Sequence, residues 1–233
     1  MIFTRNRTAL YRTGVSFCLA ALLSLAAGTG CKNHTDIGKQ FLIKGGKPRA
    51  DIVIAEKPPR PVKLAANELQ EYLRKISGAR LEIINAPGTN FPLHIFVGRS
   101  AYTDQLGVTD NGLEHGAFRM LTVTNGLVLL GQDKDFSPQQ PFNTSFADTP
   151  RMMKEWDGLT GEKWLNPNRL LHKSYSSELD TWDCDDRGSL NAVHEFLRGL
   201  GVRWYMPGEL GEVVPTAKTI PLAKVDKIFR PDF

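Results

Sequence analysis

The sequence predicts an α+β domain in which a largely antiparallel or mixed β-sheet carries two amphipathic helices on one face. Three observations predict this fold class. Strand-like runs recur between Gly and Pro residues, two segments place apolar residues at helical spacing, and Asn125-Gly126 stands between two strand-like runs. Residues 41–222 contain these features, and such a length is enough for one well-cored domain.

The predicted strands are short and are separated by turn residues. Gly45-Gly46 lies between the first two strand-like runs and predicts a hairpin there. Asn125-Gly126 is the strongest two-residue hairpin signal in the chain. The strands are expected at residues 41–43, 51–55, 81–84, 93–97, 118–124 and 127–130, with a short helical turn over 101–106.

The first long helix is predicted between Pro61, which suits the first helical position, and Gly78, which suits a C-cap. Glu71 and Lys75 are spaced to pair on its exposed side. Its apolar side is predicted to consist of Val62, Ala65, Leu69, Tyr72, Leu73 and Ile76.

The second helix precedes Gly199 and Gly201, which are expected to end it. Asp185 or Asp186 is the predicted N-cap, because a carboxylate there accepts backbone N–H groups and suits the helix dipole. The apolar stripe that should face the sheet consists of Leu190, Val193, Leu197 and Leu200.

Two metal motifs fail on individual residues of this helix and the run before it. His194-Glu195 begins like the zinc-protease motif, but Arg198 occupies the position of the second histidine ligand. A calcium loop starting at Asp183 would place Arg187 and His194 where oxygen ligands are required. The sequence therefore predicts no metal site and no cofactor.

Residues 1–30 have the features of a bacterial export signal. They begin with basic residues, contain no acidic residue, and continue with an apolar run over 15–27 that is too short to span a bilayer. Small residues precede Cys31, as in lipoproteins, although the usual aliphatic residue three places earlier is missing. We expect a lipid anchor at Cys31 and a tether over 31–40, with plain secretion as the alternative. Both predict an exported protein: an outer-membrane or cell-surface lipoprotein, or else a periplasmic or secreted protein.

The charge balance argues against nucleic acid as a partner. The formal net charge of the whole chain is +4, and residues 1–30 contribute three of its cations and no anion, so +4 − 3 = +1 remains. The remaining chain contains no stripe of Lys and Arg and no nucleic-acid-binding motif. The sequence therefore excludes this class of function.

Three stretches carry a resemblance to a known family. They are DIVIAEKPPRPVKLAANELQEYLRKISGARLEI (51–83), IFVGRS (95–100) and GSLNAVHEFLRGLGVRWYMPGELGEVVP (188–215). Together they resemble the N-terminal, non-catalytic domain of bacterial α-glucuronidase-like proteins, and β-hexosaminidases carry a similar module, domain 2, before their barrel. The resemblance covers about residues 41–220, interrupted by 135–182.

The resemblance implies a sheet with two helices on one face, placed before a (β/α)-barrel that holds the catalytic carboxylates. It implies an accessory role for this chain and a glycoside hydrolase activity for the full-length protein. Residues 223–233 are then expected to begin a linker to that catalytic domain.

The segment after the second helix is the expected contact surface for the barrel. Trp204 and Tyr205 are large anchors before a turn at Pro207, and Glu209 and Glu212 follow. The two carboxylates could be imagined as the acid pair of a glycosidase, but they lie three residues apart on a Gly-flanked loop with no rigid scaffold. We therefore expect Trp204, Tyr205, Glu209 and Glu212 to make interdomain contacts and expect no catalytic residue in this chain.

Residues 135–182 form an insertion relative to the family pattern, and it contains Trp156, Trp164 and Trp182. One interpretation is that a long excursion needs an aromatic mini-core of its own. The other is that these tryptophans contact the sugar rings of a plant-type or other polysaccharide, since long loops often serve function.

Two classes of function follow. The first is an accessory domain of an exported, α-glucuronidase-like hydrolase. The second is a non-enzymatic surface module, anchored by lipid, that binds glycan or a partner through the insertion. The gene sequence downstream of Phe233 discriminates between them, because an in-frame barrel with two carboxylates at strand ends favours the first.

Overall fold

The architecture is taken from a computed structural model that describes residues 40–137, 146–161 and 175–231. The helices are α1 (Arg60–Ser77), α2 (Ala101–Gln105), α3 (Thr149–Thr160) and α4 (Gly188–Gly199). The strands are β1 (Phe41–Lys44), β2 (Lys47–Pro48), β3 (Ala50–Val53), β4 (Ile83–Ile84), β5 (Leu93–Val97), β6 (Phe118–Val123), β7 (Gly126–Gly131), β8 (Asp133–Lys134), β9 (Tyr175–Ser176), β10 (Thr181–Trp182), β11 (Asp186–Arg187), β12 (Arg203–Trp204), β13 (Glu212–Val213), β14 (Ile220–Pro221) and β15 (Asp226–Phe229).

The main sheet has six strands in the order β15-β6-β7-β5-β3-β4. Strands β4, β3, β5 and β7 run parallel to one another, while β6 runs antiparallel to both β7 and β15. The prediction of a largely antiparallel or mixed sheet is confirmed in its mixed form, because three strand pairs of the main sheet are parallel and two are antiparallel. The β3–β4 pair is one of the parallel ones. The physical reason is α1, which carries the chain back across the sheet and so returns it parallel to β3.

Both amphipathic helices lie on one face of this sheet, as predicted. Their buried side chains join those of alternate sheet residues, such as Ile52, Ile95 and Leu129, in one apolar core. The opposite face is covered by α2 and the loop that follows it, in a smaller cluster around Phe96 and Val128. An α+β domain with two buried sheet faces results.

The ends of α1 are those predicted from the sequence. Proline occupies the first turn, where a missing N–H costs nothing. Gly78 is left-handed, with φ of 82°, and its N–H donates to the carbonyl of Arg74 at 2.8 Å.

The beginning of α4 corrects the predicted N-cap. Arg187 is the N-cap residue, and no side chain of its own caps the helix. The Ser189 amide donates instead to Asp133 Oδ1 at 3.0 Å, so a carboxylate from β8 satisfies the free N–H group. Asp185 accepts hydrogen bonds elsewhere, and sequence proximity was therefore a poor guide to the capping group.

The two predicted hairpin turns differ from expectation in their details. Gly45-Gly46 does form a two-residue turn, but it joins β1 to β2, and β1 also pairs with β14. The second turn is centred on Thr124 and Asn125, because Gly126 already pairs with Val123. A Cβ at Gly126 would lie 1.8 Å from the carbonyl oxygen of His94 on β5, so this glycine is required by close packing of strands.

Residues 226–229 lie within 223–233, the stretch that is expected to begin a linker. They form β15, the edge strand of the main sheet, in register with all of Phe118–Leu121. The rings of Phe118 and Phe229 stack with centroids 4.7 Å apart, and Arg119 donates to Asp226 at 2.9 Å. The sheet therefore extends beyond residue 222, because β15 covers the otherwise open edge of β6.

Candidate functional site

The most exposed apolar surface belongs to residues 203–213, here called the aromatic loop. Strands β12 and β13 form its two limbs, with Trp204 opposite Glu212, and a short 3-10 turn lies between them. Contiguous exposed apolar patches are uncommon on soluble proteins. In this loop the exposed fractions of the large apolar side chains are Trp204 37%, Tyr205 74%, Met206 59%, Leu210 99% and Val213 51%.

One side of the aromatic loop is fixed to α1 by three hydrogen bonds. The Trp204 Nε1–H donates to the Tyr72 hydroxyl at 2.6 Å, and that hydroxyl donates to Glu212 Oε1. Lys75 Nζ donates to Glu212 Oε2 at 2.8 Å. The rings of Tyr72 and Trp204 meet edge to face with centroids 5.3 Å apart. The inner side of the loop is therefore held, while its outer side stays exposed.

His194 extends this cluster from α4. Its Nε2 lies 2.5 Å from Glu68 Oε2, and its ring lies 5.2 Å from that of Trp204. Arg198, at the position where a second zinc ligand would stand, pairs with Glu195 at 3.0 Å. The described part of the chain contains no group of three or more potential metal ligands.

The electrostatics of the cluster separate Glu212 from Glu209. Hydrogen bonds from Lys75 and Tyr72 hold the pKa of the Glu212 carboxyl below its usual range. Burial, followed by the bond to Glu212, raises the pKa of Tyr72 to about 12. Glu212 is thus a paired, ionised carboxylate, whereas a glycosidase acid must hold a proton near neutral pH. Glu209 is exposed, and its carboxylate has no hydrogen-bond partner among the described residues.

An open groove runs between the aromatic loop and α1. Glu178 and Leu179, at the C-terminal end of the insertion, close one side of it. The groove is also lined by Tyr72, Lys75, Trp204, Tyr205, Glu209 and Glu212.

All four residues predicted as interdomain contacts are therefore brought together in one place. The sequence did not identify their partners Tyr72, Lys75 and Glu68. Tyr72 was placed in the apolar stripe of α1, and its hydroxyl, which needs a partner when partly buried, was the available signal. The expected Glu71–Lys75 pair is wrong, because Glu71 binds Arg74 at 2.6 Å and Lys75 is engaged by Glu212.

Trp182 in the insertion is a core residue. Only 8% of it is exposed, and its ring contacts those of Phe136 and Tyr175 at centroid distances of 5.6 and 4.9 Å. The backbone N–H of Trp182 donates to Asp185 Oδ2 at 2.8 Å. This position favours the mini-core interpretation for Trp182.

Asp185 organises the base of the insertion. Its Oδ1 accepts from the Arg60 guanidinium at 2.9 Å and from the Phe136 amide at 2.7 Å. Burial acts to raise the pKa of Asp185, but the bonds from Arg60, Phe136 and Trp182 outweigh it and leave the pKa lowered. The carboxylate is therefore a stable ionised hub between α1 and the insertion.

The structure describes Trp156 but not Trp164 or Cys31, the cysteine for which a lipid anchor is expected. Trp156 is half-buried on α3, beside the fully buried Met152. Trp164 and Cys31 lie outside the described residues. Within the ranges that are described, no helix is long and apolar enough to cross a membrane.

The fold and site define an α+β domain with an exposed aromatic loop. No protein-family model matches the chain, and no curated protein matches it. It is similar to the solved structure of a family GH115 4-O-methyl-α-glucuronidase with specificity for decorated arabinogalactans, with a TM-score of 0.49 and 18% sequence identity. The similarity covers 82% of this chain and 18% of that one, so this chain spans less than a fifth of that protein.

Proposed function

We propose that this chain is an accessory domain of an exported carbohydrate-active hydrolase of the α-glucuronidase-like type. In this proposal it is not itself catalytic, and it supports a downstream (β/α)-barrel. The observation that carries the proposal is the aromatic loop, a surface of large apolar side chains whose inner side is tied to α1. The three family-like sequence stretches support it independently.

The composition of the aromatic loop suits a protein interface. Trp and Tyr are the residues that most often carry binding energy at interfaces, and they do so best when their backbone is held in place beforehand. Trp204 is held by Tyr72, while Tyr205 and Leu210 point their exposed area outward from a turn. Glu209 would then lie at the polar rim of the contact.

The role of Glu212 also supports an accessory domain. Its carboxylate is engaged by Lys75 and Tyr72 and has the lowered pKa of a structural ion pair. The catalytic carboxylates are accordingly proposed to lie in the barrel. Export, and a lipid anchor at Cys31, complete the proposal and place the enzyme outside the cytoplasm with access to polysaccharide.

The proposal is tested by association between this domain and the barrel encoded downstream of it. We expect the double change Tyr205→Ser with Leu210→Ser to weaken binding of the separately produced barrel at least about tenfold in calorimetry. Leu159→Ser is the matched control, because Leu159 is 69% exposed but lies on α3, away from the loop. Equal binding of all variants, or a gene without an in-frame barrel, would contradict the proposal.

The alternative function is a lipid-anchored, non-enzymatic surface module that binds glycan or a partner through its insertion. Trp156 favours it, because its side chain is only half-buried on α3, whereas Trp182 is buried. Under this alternative, Trp156→Ala should weaken binding of xylo-oligosaccharides while leaving the melting temperature nearly unchanged. Trp182→Ala is the contrasting variant and should cost about 3–5 kcal/mol of stability.

A further inference from the structure

The base of the insertion contains a carboxyl group in an unusual setting. Asp133, on β8, accepts two hydrogen bonds from one residue, the amide of Ser189 at 3.0 Å and its hydroxyl at 2.5 Å. Ser189 lies in the first turn of α4, and its hydroxyl oxygen also accepts the Gly131 amide at 3.0 Å. One pair of side chains thus connects β7, β8 and α4.

The backbone at this point is tightly packed. Gly131 and Gly188 cross so closely that a Cβ on Gly131 would lie 2.5 Å from the backbone of Gly188. The Gly188 amide donates to the Gln132 carbonyl at 2.9 Å, and β8 pairs with β11 directly beside it. The strands β8 and β11 flank the insertion, so this crossing is where the insertion joins the rest of the domain.

The charged groups around Asp133 do not neutralise it. In the described part of the chain, no cation forms an ion pair with its carboxylate. Burial raises the pKa of Asp133 to about 7, the bonds from Ser189 oppose this, and the negative charges of Asp110 and Asp186 add to it.

Two of the neighbouring cations, Arg187 and Arg60, are engaged with other groups. On the strand pair itself, Arg187 donates to the Trp182 carbonyl at 2.5 Å and lies 4.0 Å from Asp183. Arg60 on α1 is engaged by Asp135 and Asp185, and Asp110 in the loop after α2 is paired with Arg99. The other charged groups near Asp133 are Lys134 and Asp135, on β8 and its continuation, and Asp186 on β11.

We propose that the Asp133–Ser189 pair is a pH-sensitive latch that holds the base of the insertion against the start of α4. In the ionised form the carboxylate accepts hydrogen bonds from the Ser189 amide and hydroxyl, and it is repelled by the negative charges of Asp110 and Asp186. In the neutral form the carboxyl group gains a proton, donates it to the Ser189 hydroxyl oxygen, and still accepts the Ser189 amide. The hydroxyl proton can then turn towards the Gly131 carbonyl, which lies 3.5 Å away.

The sign of the effect follows from linkage. The folded-state pKa of Asp133 lies above the ordinary value of 3.8, so the folded chain binds this proton more tightly than the unfolded chain does. The resulting stabilisation is complete below the ordinary value and is lost as the pH rises through about 7. The latch therefore holds the insertion more firmly in mildly acidic than in mildly alkaline surroundings.

The direct test is a carbon-13 titration of the Asp133 carboxyl in the unmodified chain. We expect a midpoint near 7, and a midpoint near the ordinary value of 3.8 would overturn the proposal. Asp110→Asn is a matched change, because it removes one nearby negative charge, paired with Arg99, and leaves the hydrogen bonds between Asp133 and Ser189 in place. It should lower the midpoint, and an unchanged midpoint would show that like charge does not act on the latch.

The latch itself is tested by stability and amide exchange. Asp133→Asn resembles the neutral form, because its amide oxygen still accepts from Ser189 and its NH2 group donates to the hydroxyl. When the pH is lowered from about 8.5 to about 6, the melting temperature of the unmodified chain should rise. The Gly188 amide should also exchange more slowly with solvent, after correction for intrinsic rates. Asp133→Asn should remove this difference. The same pH response in both proteins would overturn the latch.

Discussion

At the scale of single residues, Glu209 and Glu212 show how one sequence pattern separates into two roles. Both were expected to make contacts across a domain interface. The structure gives Glu212 two hydrogen-bond donors on α1 and leaves the Glu209 carboxylate exposed without a partner among the described residues. The difference arises because β13 lies over α1 and the 3-10 turn does not, which no local pattern indicates.

The prediction at this scale concerns Glu212→Gln, with Glu209→Gln as its matched control. We expect Glu212→Gln to lower the free energy of unfolding by about 1 kcal/mol at neutral pH, since charge-assisted bonds to Lys75 and Tyr72 weaken. Glu209→Gln should leave it unchanged within the error of urea unfolding.

The pH dependence has a definite sign. Because the pKa of Glu212 is lowered in the folded state, its contribution is present above the ordinary glutamate pKa. It is lost as the pH falls through the lowered value, and the two variants should then converge. A cost for Glu209→Gln equal to that for Glu212→Gln would contradict this assignment.

At the scale of secondary-structure elements, the contact of β5 with β7 depends on one glycine. Gly126 pairs with His94 on β5 and with Val123 on β6, and its missing side chain leaves room for the His94 carbonyl. The sequence pattern interpreted the same glycine as half of a turn. A turn glycine and a packing glycine look alike in sequence, because only the folded structure shows what a Cβ at that position would contact.

We expect Gly126→Ala to prevent correct pairing of the central strands, because a Cβ would lie 1.8 Å from a backbone oxygen that cannot move without breaking β5. The expected loss is more than about 3 kcal/mol of stability, or no soluble folded protein. Gly158→Ala, on α3 with open space around it, is the control and should be neutral or stabilising by up to about 1 kcal/mol. Circular dichroism during thermal unfolding measures both, and a cooperative transition of Gly126→Ala at the unmodified temperature would refute the argument.

At the scale of the whole molecule, the described residues expose one strongly apolar surface, and the sequence predicts one anchor. The aromatic loop is the surface for which a downstream barrel is proposed, and Cys31 is the residue for which a lipid is proposed. The second proposal predicts that, during expression in a bacterial host, labelled palmitate is incorporated into the unmodified protein and not into Cys31→Ala. Equal labelling of both, with both proteins exported, would leave secretion without an anchor as the correct description.

The sequence by itself determined the features that are encoded within a few neighbouring residues. The apolar spacing of α1 and α4, the proline and glycine at the ends of α1, and the Gly45-Gly46 turn all depend on local backbone preferences and periodicity. The strands β5, β6 and β7 and the short α2 were located for the same reason. Trp204, Tyr205, Glu209 and Glu212 lie in one loop because they are close in the chain, and their role as interdomain contacts stays a prediction.

Only the tertiary structure decided which distant groups meet. The Lys75–Glu212 pair spans 137 residues and the Asp133–Ser189 pair spans 56, so their formation depends on how β8, β13 and the helices are placed on the sheet. The parallel order of β4, β3, β5 and β7, the membership of β15 in the sheet, and the burial of Trp182 are decided in the same way. The physical reason is that a side chain's pKa, burial and hydrogen-bond partner depend on its spatial neighbours, and local spacing in sequence does not specify those neighbours.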